Sequence, residues 1–330
     1  MTTPYELAPC PACRATAHDV VADGEAVRAE VEALWEHHTG SDHAPLAIEQ
    51  LVDRVAFSQD PPLRVVRCTG CGLLFRSPQE RRVREIYENE RPGAAMLAAL
   101  RTAQLDAARA QLARLTELHG GTGRLLEVGS YAGAYLQAAA EAGWRAIGMD
   151  VNRHAVEFMR GFGHDVAVGA IEDVPDTARF DAIAFWNCFD QLPDPLAAAH
   201  TARARLRAGG TLALRVPNGE FYLALRGRLD GPLGGAARAL LARHNLLAFP
   251  CRHGFTSASL RGLLERTGFE VVAEHGAGVL PAGDHDAALG TTRLLAAAER
   301  ALRPLVGSPW LDVHARARRG RGPRGKGSRG

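Results

Sequence analysis

The amino-acid sequence predicts an α/β protein in which a small zinc-binding lobe precedes a doubly wound, Rossmann-like sheet. Three observations lead to this fold class. Short apolar strands alternate with Ala-rich helices after Gly120-Gly121, as expected for a mostly parallel sheet covered on both faces. A glycine-containing turn joins the first of these strands to a helix, and two C-x-x-C pairs lie in the first quarter of the chain.

The composition is that of a globular protein. The 330 residues are 46% hydrophobic and 23% charged, which is enough for one large core or two smaller ones. No stretch approaches the roughly 18 consecutive apolar residues of a membrane span, and the N-terminus lacks the residue order of a signal peptide. We therefore expect a cytoplasmic protein with no membrane partner. The formal net charge is only +2, and positive charge is concentrated in the segment RARRGRGPRGKGSRG.

The cysteines predict a metal site rather than disulfides, because the cytoplasm is reducing. Four of them form two C-x-x-C pairs, a spacing with which a tight turn directs two thiolates at one ion. We expect one structural zinc, although the segment between the pairs, residues 14–67, is longer than in a compact zinc ribbon. Two unrelated reduced pairs are the alternative. The predicted ligands are Cys10, Cys13, Cys68 and Cys71. Cys188 and Cys251 are predicted core residues.

The N-terminal part of the chain predicts a lobe and a connecting helix. Residues 1–90 hold the cysteine pairs, a polar helical stretch over Gly24–His38, and the strand-like sequence LRVVRC. Residues 91–120 carry Ala and Leu at helical spacing with Arg and Asp between them, a pattern typical of a long amphipathic helix. We expect this helix to bridge the lobe and the α/β domain.

The C-terminal part predicts the α/β domain over residues 121–317. Within it, the segment 219–252 interrupts the alternation with glycines and an Ala/Leu helix, so it is predicted to be a lid or insertion that touches substrate. Residues 318–330 are rich in Gly and Arg and are predicted to form a disordered basic tail.

The turn after the first strand of this domain is predicted to bind a ligand. It contains Gly129 and Gly133 directly before a helix, where glycines allow a ligand to approach the backbone. Asp150 ends the next strand, and an acid at that place accepts hydrogen bonds from ribose hydroxyls. A nicotinamide cofactor is disfavoured, because the G-x-G-x-x-G fingerprint is not met.

Residues 124–318 resemble the class I S-adenosylmethionine-dependent methyltransferases. Glu127, Gly129 and Gly133 match the family's E-V-G-x-G-x-G turn, with Tyr131 in place of the middle glycine. The resemblance implies a seven-stranded sheet with an antiparallel last strand, and S-adenosyl-L-methionine as the cofactor. The implied cofactor-binding residues are Glu127, Gly129, Ser130, Tyr131, Gly133, Asp150, Val151, Ile171, Glu172, Asn187 and Gln191.

Further segments resemble this family in chain order. Gly169–Pro175 is similar to the adenine-contacting segment, Phe185–Pro195 to the segment after the fourth strand, and His253–Thr256 to an H-x-F-T element. In the N-terminal half, the C-x-x-C pairs followed by C-G-L-x-F resemble zinc-bearing methyltransferases that modify sugars and natural-product intermediates. This second resemblance implies a small-molecule acceptor, methylated on oxygen, and a zinc without a catalytic role.

Four residues are candidates for the chemical step at a hydroxyl acceptor. His253 is the predicted general base, because its imidazole is neutral near pH 7 and the matching segment borders the cleft in related enzymes. Asp190 is predicted to orient the base, Asn187 to position the acceptor, and Tyr222 to hydrogen-bond it. For His253 the open alternative is packing or capping of the loop before Thr256, and for Tyr222 it is filling of the predicted lid.

Two other functions are kept as alternatives. The Arg-rich tail and the zinc lobe are compatible with a methyltransferase-like protein that modifies or binds RNA, since phosphate neutralisation needs clustered positive charge. The tail has no aromatic residues for base stacking, so a nucleic-acid partner is not the expectation. A homologue that binds the cofactor without catalysis is the second alternative, because Tyr131 occupies the glycine turn.

Overall fold

The chain folds into a large mixed sheet and a smaller antiparallel sheet that share a core. The computed structural model describes residues 5–39, 64–81, 83–244, 251–278 and 290–318. The strands are β1 (Tyr5–Glu6), β2 (His18–Ala22), β3 (Arg64–Cys68), β4 (Leu74–Ser77), β5 (Gln79–Glu80), β6 (Arg124–Val128), β7 (Arg145–Asp150), β8 (Val166–Val168), β9 (Phe180–Trp186), β10 (Leu206–Pro217), β11 (His253–Gly254), β12 (Phe269–Ala277) and β13 (Trp310–Ala317). The helices are α1 (Gly24–Thr39), α2 (Val83–Asn89), α3 (Ala94–His119), α4 (Ala134–Glu141), α5 (Arg153–Gly161), α6 (Pro195–Arg205), α7 (Gly219–Arg226), α8 (Gly234–His244), α9 (Ser257–Arg266) and α10 (Gly290–Val306).

The large sheet confirms the predicted fold class. Its seven strands run in the order β12-β13-β10-β9-β6-β7-β8. The pairs β6–β7, β6–β9, β7–β8 and β9–β10 are parallel, whereas β13 is antiparallel to both of its neighbours. The strand order reverses between β6 and β9, so the carboxyl ends of these strands border the crevice in which doubly wound sheets bind ligands.

Helices cover both faces of this sheet, because successive side chains of a strand point to opposite faces. Leu125 and Ala184 pack in a cluster with residues of α3 and α4. Their neighbours Leu126 and Phe185 pack in a second cluster with residues of α6 and α9. Both faces are apolar and buried, which accounts for the continuous apolar strands in the sequence.

The N-terminal lobe is continuous with the methyltransferase-like half rather than a separate unit. Its antiparallel sheet has the order β11-β4-β3-β2, in which β11 comes from the C-terminal half of the chain. Cys10, Cys68 and Phe75 are buried in one cluster with Phe255 and Leu260. The predicted boundary at residue 90 therefore does not separate two cores.

The segment 219–252 differs from its prediction as a lid. Helices α7 and α8 supply Phe221, Leu225 and Leu240 to a buried cluster with Val27 and Leu74 of the N-terminal lobe. Helix α10 packs against both of them. The apolar faces of α7 and α8 thus pack against the lobe, and among the side chains of these two helices that the structure describes, none lines the large cavity described below.

The predicted bridging helix is found as α3. Its buried face contains Leu97, Ala108, Leu112 and Leu115, and the helix ends at Gly120, whose φ of +87° closes a left-handed cap. Left-handed caps of this kind favour glycine because it has no Cβ. The helix connects the lobe to β6 and packs along α4.

Several predicted features lie outside the described residues. These are residues 40–63 of the segment between the cysteine pairs, residues 245–250 of the predicted insertion, and residues 319–330 of the predicted basic tail. Within the described ranges, no helix is long and apolar enough to cross a membrane.

Candidate active site and metal centre

A cavity of about 650 Å³ opens at the carboxyl ends of β6, β7 and β9. Its volume falls within the roughly 300–1,000 Å³ of small-molecule sites. The turns after these strands form one wall, and residues of α2 and α3 form the other. All residues that the sequence implied for cofactor binding line it, namely Glu127, Gly129, Ser130, Tyr131, Gly133, Asp150, Val151, Ile171, Glu172, Asn187 and Gln191.

The turn after β6 has a backbone that favours glycine at both predicted positions. Gly129 and Gly133 have φ values of +75° and +77°. A Cβ on Gly129 would lie 2.7 Å from the Cys188 Sγ, so the backbone approaches the neighbouring loop more closely than any side chain allows. Tyr131 adopts a φ of +38° between them, which shows how the turn accommodates a residue other than glycine.

We expect Gly129→Ala to destabilise the protein more than the matched change Gly143→Ala. Both glycines have positive φ, at +75° and +85°, but a Cβ on Gly143 would have no heavy atom within 4 Å. The control should cost about 1 kcal/mol, the penalty of alanine in left-handed backbone. Thermal unfolding of the two variants measures the difference, and equal melting temperatures would contradict the close approach to Cys188.

Asp150 is held in place by the turn that it faces. The Tyr131 N–H donates to its Oδ2 at 2.8 Å, and the Asn152 N–H donates to its Oδ1 at 2.8 Å. Burial raises the pKa of Asp150, and these two hydrogen bonds oppose the increase. The carboxylate therefore has a defined orientation at the cavity wall, with lone pairs left for a ligand.

Glu127 has an unpaired oxygen in the cavity wall. The residue is 4% exposed, it lines the cavity, and its Oε2 has no hydrogen-bond partner. Burial raises the pKa of this carboxyl group well above its usual range. A buried carboxyl oxygen without a partner is costly, and a ligand ammonium group in the cavity would satisfy it.

Helix α2 closes the cavity on the side of Ile171 and Gln191, and sequence reasoning gave it no role in the site. The Tyr87 hydroxyl donates to Gln191 Oε1 at 2.8 Å. The Asn152 Nδ2 donates to the backbone oxygens of Tyr87 and Glu90 at 2.8 and 2.9 Å. The sequence Glu85-Ile86-Tyr87 does not by itself indicate that this helix covers a site whose first residue, Glu127, lies 40 residues later.

The predicted catalytic residues separate into two groups. Asn187 lines the cavity, has a φ of +57°, and its Oδ1 has no partner. Asp190, Tyr222 and His253, the residues predicted to orient the base, to bind the acceptor and to act as the base, are not among the residues that line the cavity.

Their surroundings explain this placement. His253 is fully buried in β11, and burial together with Arg252 and Arg76 lowers its pKa well below the usual range. Asp190 is fully buried, and desolvation raises its pKa to about 7. The Tyr222 hydroxyl donates to Glu30 Oε2 at 3.0 Å inside the cluster that α7 shares with the lobe.

The four predicted metal ligands come together in the lobe. The Sγ atoms of Cys10, Cys13, Cys68 and Cys71 all lie within 4.8 Å of one another. The Cys10–Cys71 and Cys13–Cys68 separations are 3.6 and 3.5 Å, near the ~3.8 Å edge of a tetrahedron with Zn–S bonds of ~2.3 Å. Four thiolates in this arrangement could hold one metal ion.

The two C-x-x-C pairs, Cys10 with Cys13 and Cys68 with Cys71, form turns of the same type. The Arg14 N–H donates to the Cys10 oxygen at 2.8 Å, and the Gly72 N–H donates to the Cys68 oxygen at 2.9 Å. Arg14 and Gly72, which follow the second cysteine of each pair, have φ values of +66° and +81°. The Arg14 guanidinium also contacts the Asp194 carboxylate, which links the first turn to the cavity rim.

The fold and the site define a methyltransferase-type domain, and comparison with known proteins agrees. A family model described as a methyltransferase domain matches residues 99–274, more than half of the chain. The chain therefore belongs to this methyltransferase family. No curated protein matches it significantly in sequence.

Solved structures with a similar fold include a chain from the complex between the Haloferax volcanii Trm112 methyltransferase activator and a methyltransferase. It is 18% identical with a TM-score of 0.51, over 70% of this chain and 96% of that chain. An Archaeoglobus fulgidus S-adenosylmethionine-dependent methyltransferase is 17% identical with a TM-score of 0.44, over 64% and 93%. A Mesorhizobium loti enzyme described in the same way is 18% identical with a TM-score of 0.44, over 65% and 97%.

Proposed function

We propose that the protein transfers a methyl group from S-adenosyl-L-methionine to a small molecule, on a hydroxyl oxygen of a sugar or natural-product intermediate. The observation that carries the proposal is the meeting of Glu127, Asp150 and the Gly129 turn in one cavity. The cofactor supplies an electrophilic methyl group on a sulfonium, together with an ammonium and a ribose. Those groups fit the unpaired Glu127 oxygen and the oriented Asp150 carboxylate.

The residues proposed to contact the cofactor have separate roles. Glu127 accepts hydrogen bonds from the ammonium group, and Asp150 accepts them from ribose hydroxyls. Ile171, which is fully buried at the cavity wall, packs against the adenine. Because α2 covers this side through the Tyr87–Gln191 hydrogen bond, the same helix excludes water from the bound cofactor.

The acceptor is positioned by Asn187 in this proposal. Methyl transfer is an in-line displacement, so the main requirement is alignment of the acceptor oxygen with the methyl group. The Asn187 Oδ1 is buried at the cavity wall and has no partner. It accepts a hydrogen bond from the acceptor hydroxyl and thereby directs an oxygen lone pair towards the cofactor. The new O–CH3 bond replaces the S–CH3 bond, S-adenosylhomocysteine is the leaving group, and the hydroxyl proton passes to solvent water, because an amide oxygen does not retain it.

For the metal centre we propose one zinc per chain with a structural task. Four cysteine ligands complete a tetrahedral shell and leave no position for water or substrate. The cluster lies within the core that the lobe shares with α9 and the large sheet. The zinc would therefore stabilise the region 5–81, while the methyl transfer takes place at the cavity.

Cofactor binding is expected to release a proton from Glu127. In the ligand-free protein its pKa is raised by burial, and a bound ammonium group stabilises the carboxylate and lowers that pKa. At a pH between the pKa of Glu127 in the complex and its pKa in the free protein, Glu127 is protonated in the free protein and ionised in the complex. The affinity for the cofactor therefore increases with pH over that interval. Isothermal titration with S-adenosylmethionine in buffers of different ionisation enthalpy measures the released proton.

The variant Glu127→Gln should remove the proton release and weaken binding. Glu157→Gln is the matched control, because Glu157 is exposed on α5 and should leave both quantities unchanged. Unchanged proton release in Glu127→Gln would contradict the assignment of Glu127. Binding without transfer of labelled methyl to any tested acceptor would instead support a non-catalytic homologue.

A further inference from the structure

We propose that the acceptor occupies the part of the cavity between α3 and the pair Tyr135 and Trp186, and that this part selects an uncharged acceptor with an apolar body. The proposal rests on the function proposed above and narrows its substrate class. It excludes a nucleotide-linked sugar and a polynucleotide as the acceptor. The argument comes from the helix face, the polar atoms and the charges in this part of the cavity.

One face of α3 forms the wall opposite the strand ends. Its cavity-lining residues recur at helical spacing, so they lie along a single stripe of the helix. This stripe is apolar or carries neutral amides, and none of its members is charged. The members are Met96, Leu100, Gln104, Ala108 and Gln111. Ala108 belongs to the same buried cluster as Tyr135 and Trp186, and the stripe lines the same cavity as these two aromatic side chains.

Tyr135 and Trp186 bring polar atoms to this apolar region. They are 3% and 7% exposed, and their ring centroids are 5.3 Å apart. Neither the Tyr135 hydroxyl nor the Trp186 Nε1 makes a hydrogen bond of normal geometry. Both residues line the cavity, so an acceptor oxygen there would satisfy them. Burial raises the pKa of Tyr135, which keeps its hydroxyl a neutral donor.

Two arginines of α3 are engaged away from the cavity. The Arg101 guanidinium lies 3.7 Å from the centroid of the Phe162 ring, and Arg109 forms ion pairs with Asp106 and Glu141.

The arginine that does line the described cavity, Arg84, is paired as well. It contacts Glu88 at 2.8 Å and Asp173 at 3.5 Å. A diphosphate or a nucleic-acid backbone needs unpaired cationic groups, and these arginines already have anionic or aromatic partners. An acceptor with an apolar body loses little on entering such a site, because few of its groups must exchange water for protein.

The test compares two probe molecules on the protein loaded with S-adenosylhomocysteine. Isothermal titration is run with 2-naphthol, which is an apolar ring system bearing one hydroxyl, and with UDP-glucose. The same titrations are run on Gln104→Trp, in which the new ring takes up space in the cavity that Gln104 lines, and on Ala110→Trp, which adds the same ring at an exposed position of α3. Tyr135→Phe is a third, nearly isosteric variant that removes only the hydroxyl.

We expect 2-naphthol to bind the wild type and Ala110→Trp, to lose at least tenfold in affinity in Gln104→Trp, and to bind several-fold more weakly to Tyr135→Phe. S-adenosylhomocysteine affinity should change less than about threefold in all variants. Binding of UDP-glucose in preference to 2-naphthol, or 2-naphthol binding that is insensitive to both Gln104→Trp and Tyr135→Phe, would overturn the proposal. If the wild type did not bind S-adenosylhomocysteine at all, the proposed function itself would be wrong.

Discussion

Replacing Asp150 with alanine is expected to weaken the binding of S-adenosylhomocysteine by about a hundredfold or more. The carboxylate accepts hydrogen bonds from the Tyr131 and Asn152 N–H groups at 2.8 Å each, so its removal loosens the turn after β6. The substitution also removes the proposed hydrogen-bond acceptor for the ribose hydroxyls. Two hydrogen bonds to a charged group contribute roughly 1.5–3 kcal/mol each, and a hundredfold change corresponds to about 2.7 kcal/mol. Isothermal titration measures the effect.

Two further variants separate ligand binding from general damage. Asp150→Asn keeps one accepting oxygen and should lose less affinity than Asp150→Ala. Asp165→Ala removes an exposed carboxylate just before β8 and should leave affinity unchanged. Affinity in Asp150→Ala within threefold of the wild type, with the fold intact by circular dichroism, would show that this acid does not hold the ribose.

The second large effect is expected for Cys68→Ser. Cys68 is 1% exposed and lies in the metal cluster and in the core shared by the lobe and the large sheet. Loss of one of four thiolates should release the zinc, and the free energy of metal binding is part of the free energy of folding for sites of this kind. We expect the melting temperature to fall by about 10 °C or more. We also expect the variant to lose the proposed zinc, which mass spectrometry would measure as the number of zinc ions per chain.

Cys188→Ser is the matched control for this change. The Cys188 Sγ donates to the Val128 oxygen at 3.0 Å, a hydrogen bond that serine can also make, and Cys188 lies outside the metal cluster. This variant should retain the zinc and most of the thermal stability. If Cys68→Ser kept one zinc per chain, or if the wild type purified without metal remained equally stable, the proposed structural zinc would be wrong.

Residues that line this wall of the cavity could be predicted because each is local in sequence to a strand end. Glu127 lies at the end of β6, Gly129 to Gly133 follow it, Asp150 ends β7, and Asn187 follows β9. In a parallel sheet the carboxyl ends of adjacent strands lie at the same edge, so residues found separately along the chain meet in one cavity. The cysteine pairs were predictable for a similar reason, since each knuckle is a single turn.

The acceptor side could not be predicted in this way. His253 and Tyr222 belong to segments whose position depends on packing between distant parts of the chain. β11 pairs with β4 across the lobe sheet, and α7 packs against the lobe. This pairing and packing bury both side chains away from the cavity wall. In their place α3 contributes Gln104 to the cavity wall, a residue that no motif marked.

The sequence by itself determined the α/β class, the glycine turn with its acid, and the two cysteine knuckles, because these depend on periodicity and on short spacings, whereas the seven strands were implied by the family resemblance. Only the tertiary structure decided which helices close the cavity, which predicted residues face it, and that the lobe and the sheet share one core. The physical reason is that Tyr135 and Tyr222 lie in similar local sequences, so the local sequence does not show which of the two faces the cavity. Long-range packing alone places Tyr135 at the cavity wall and Tyr222 against Glu30.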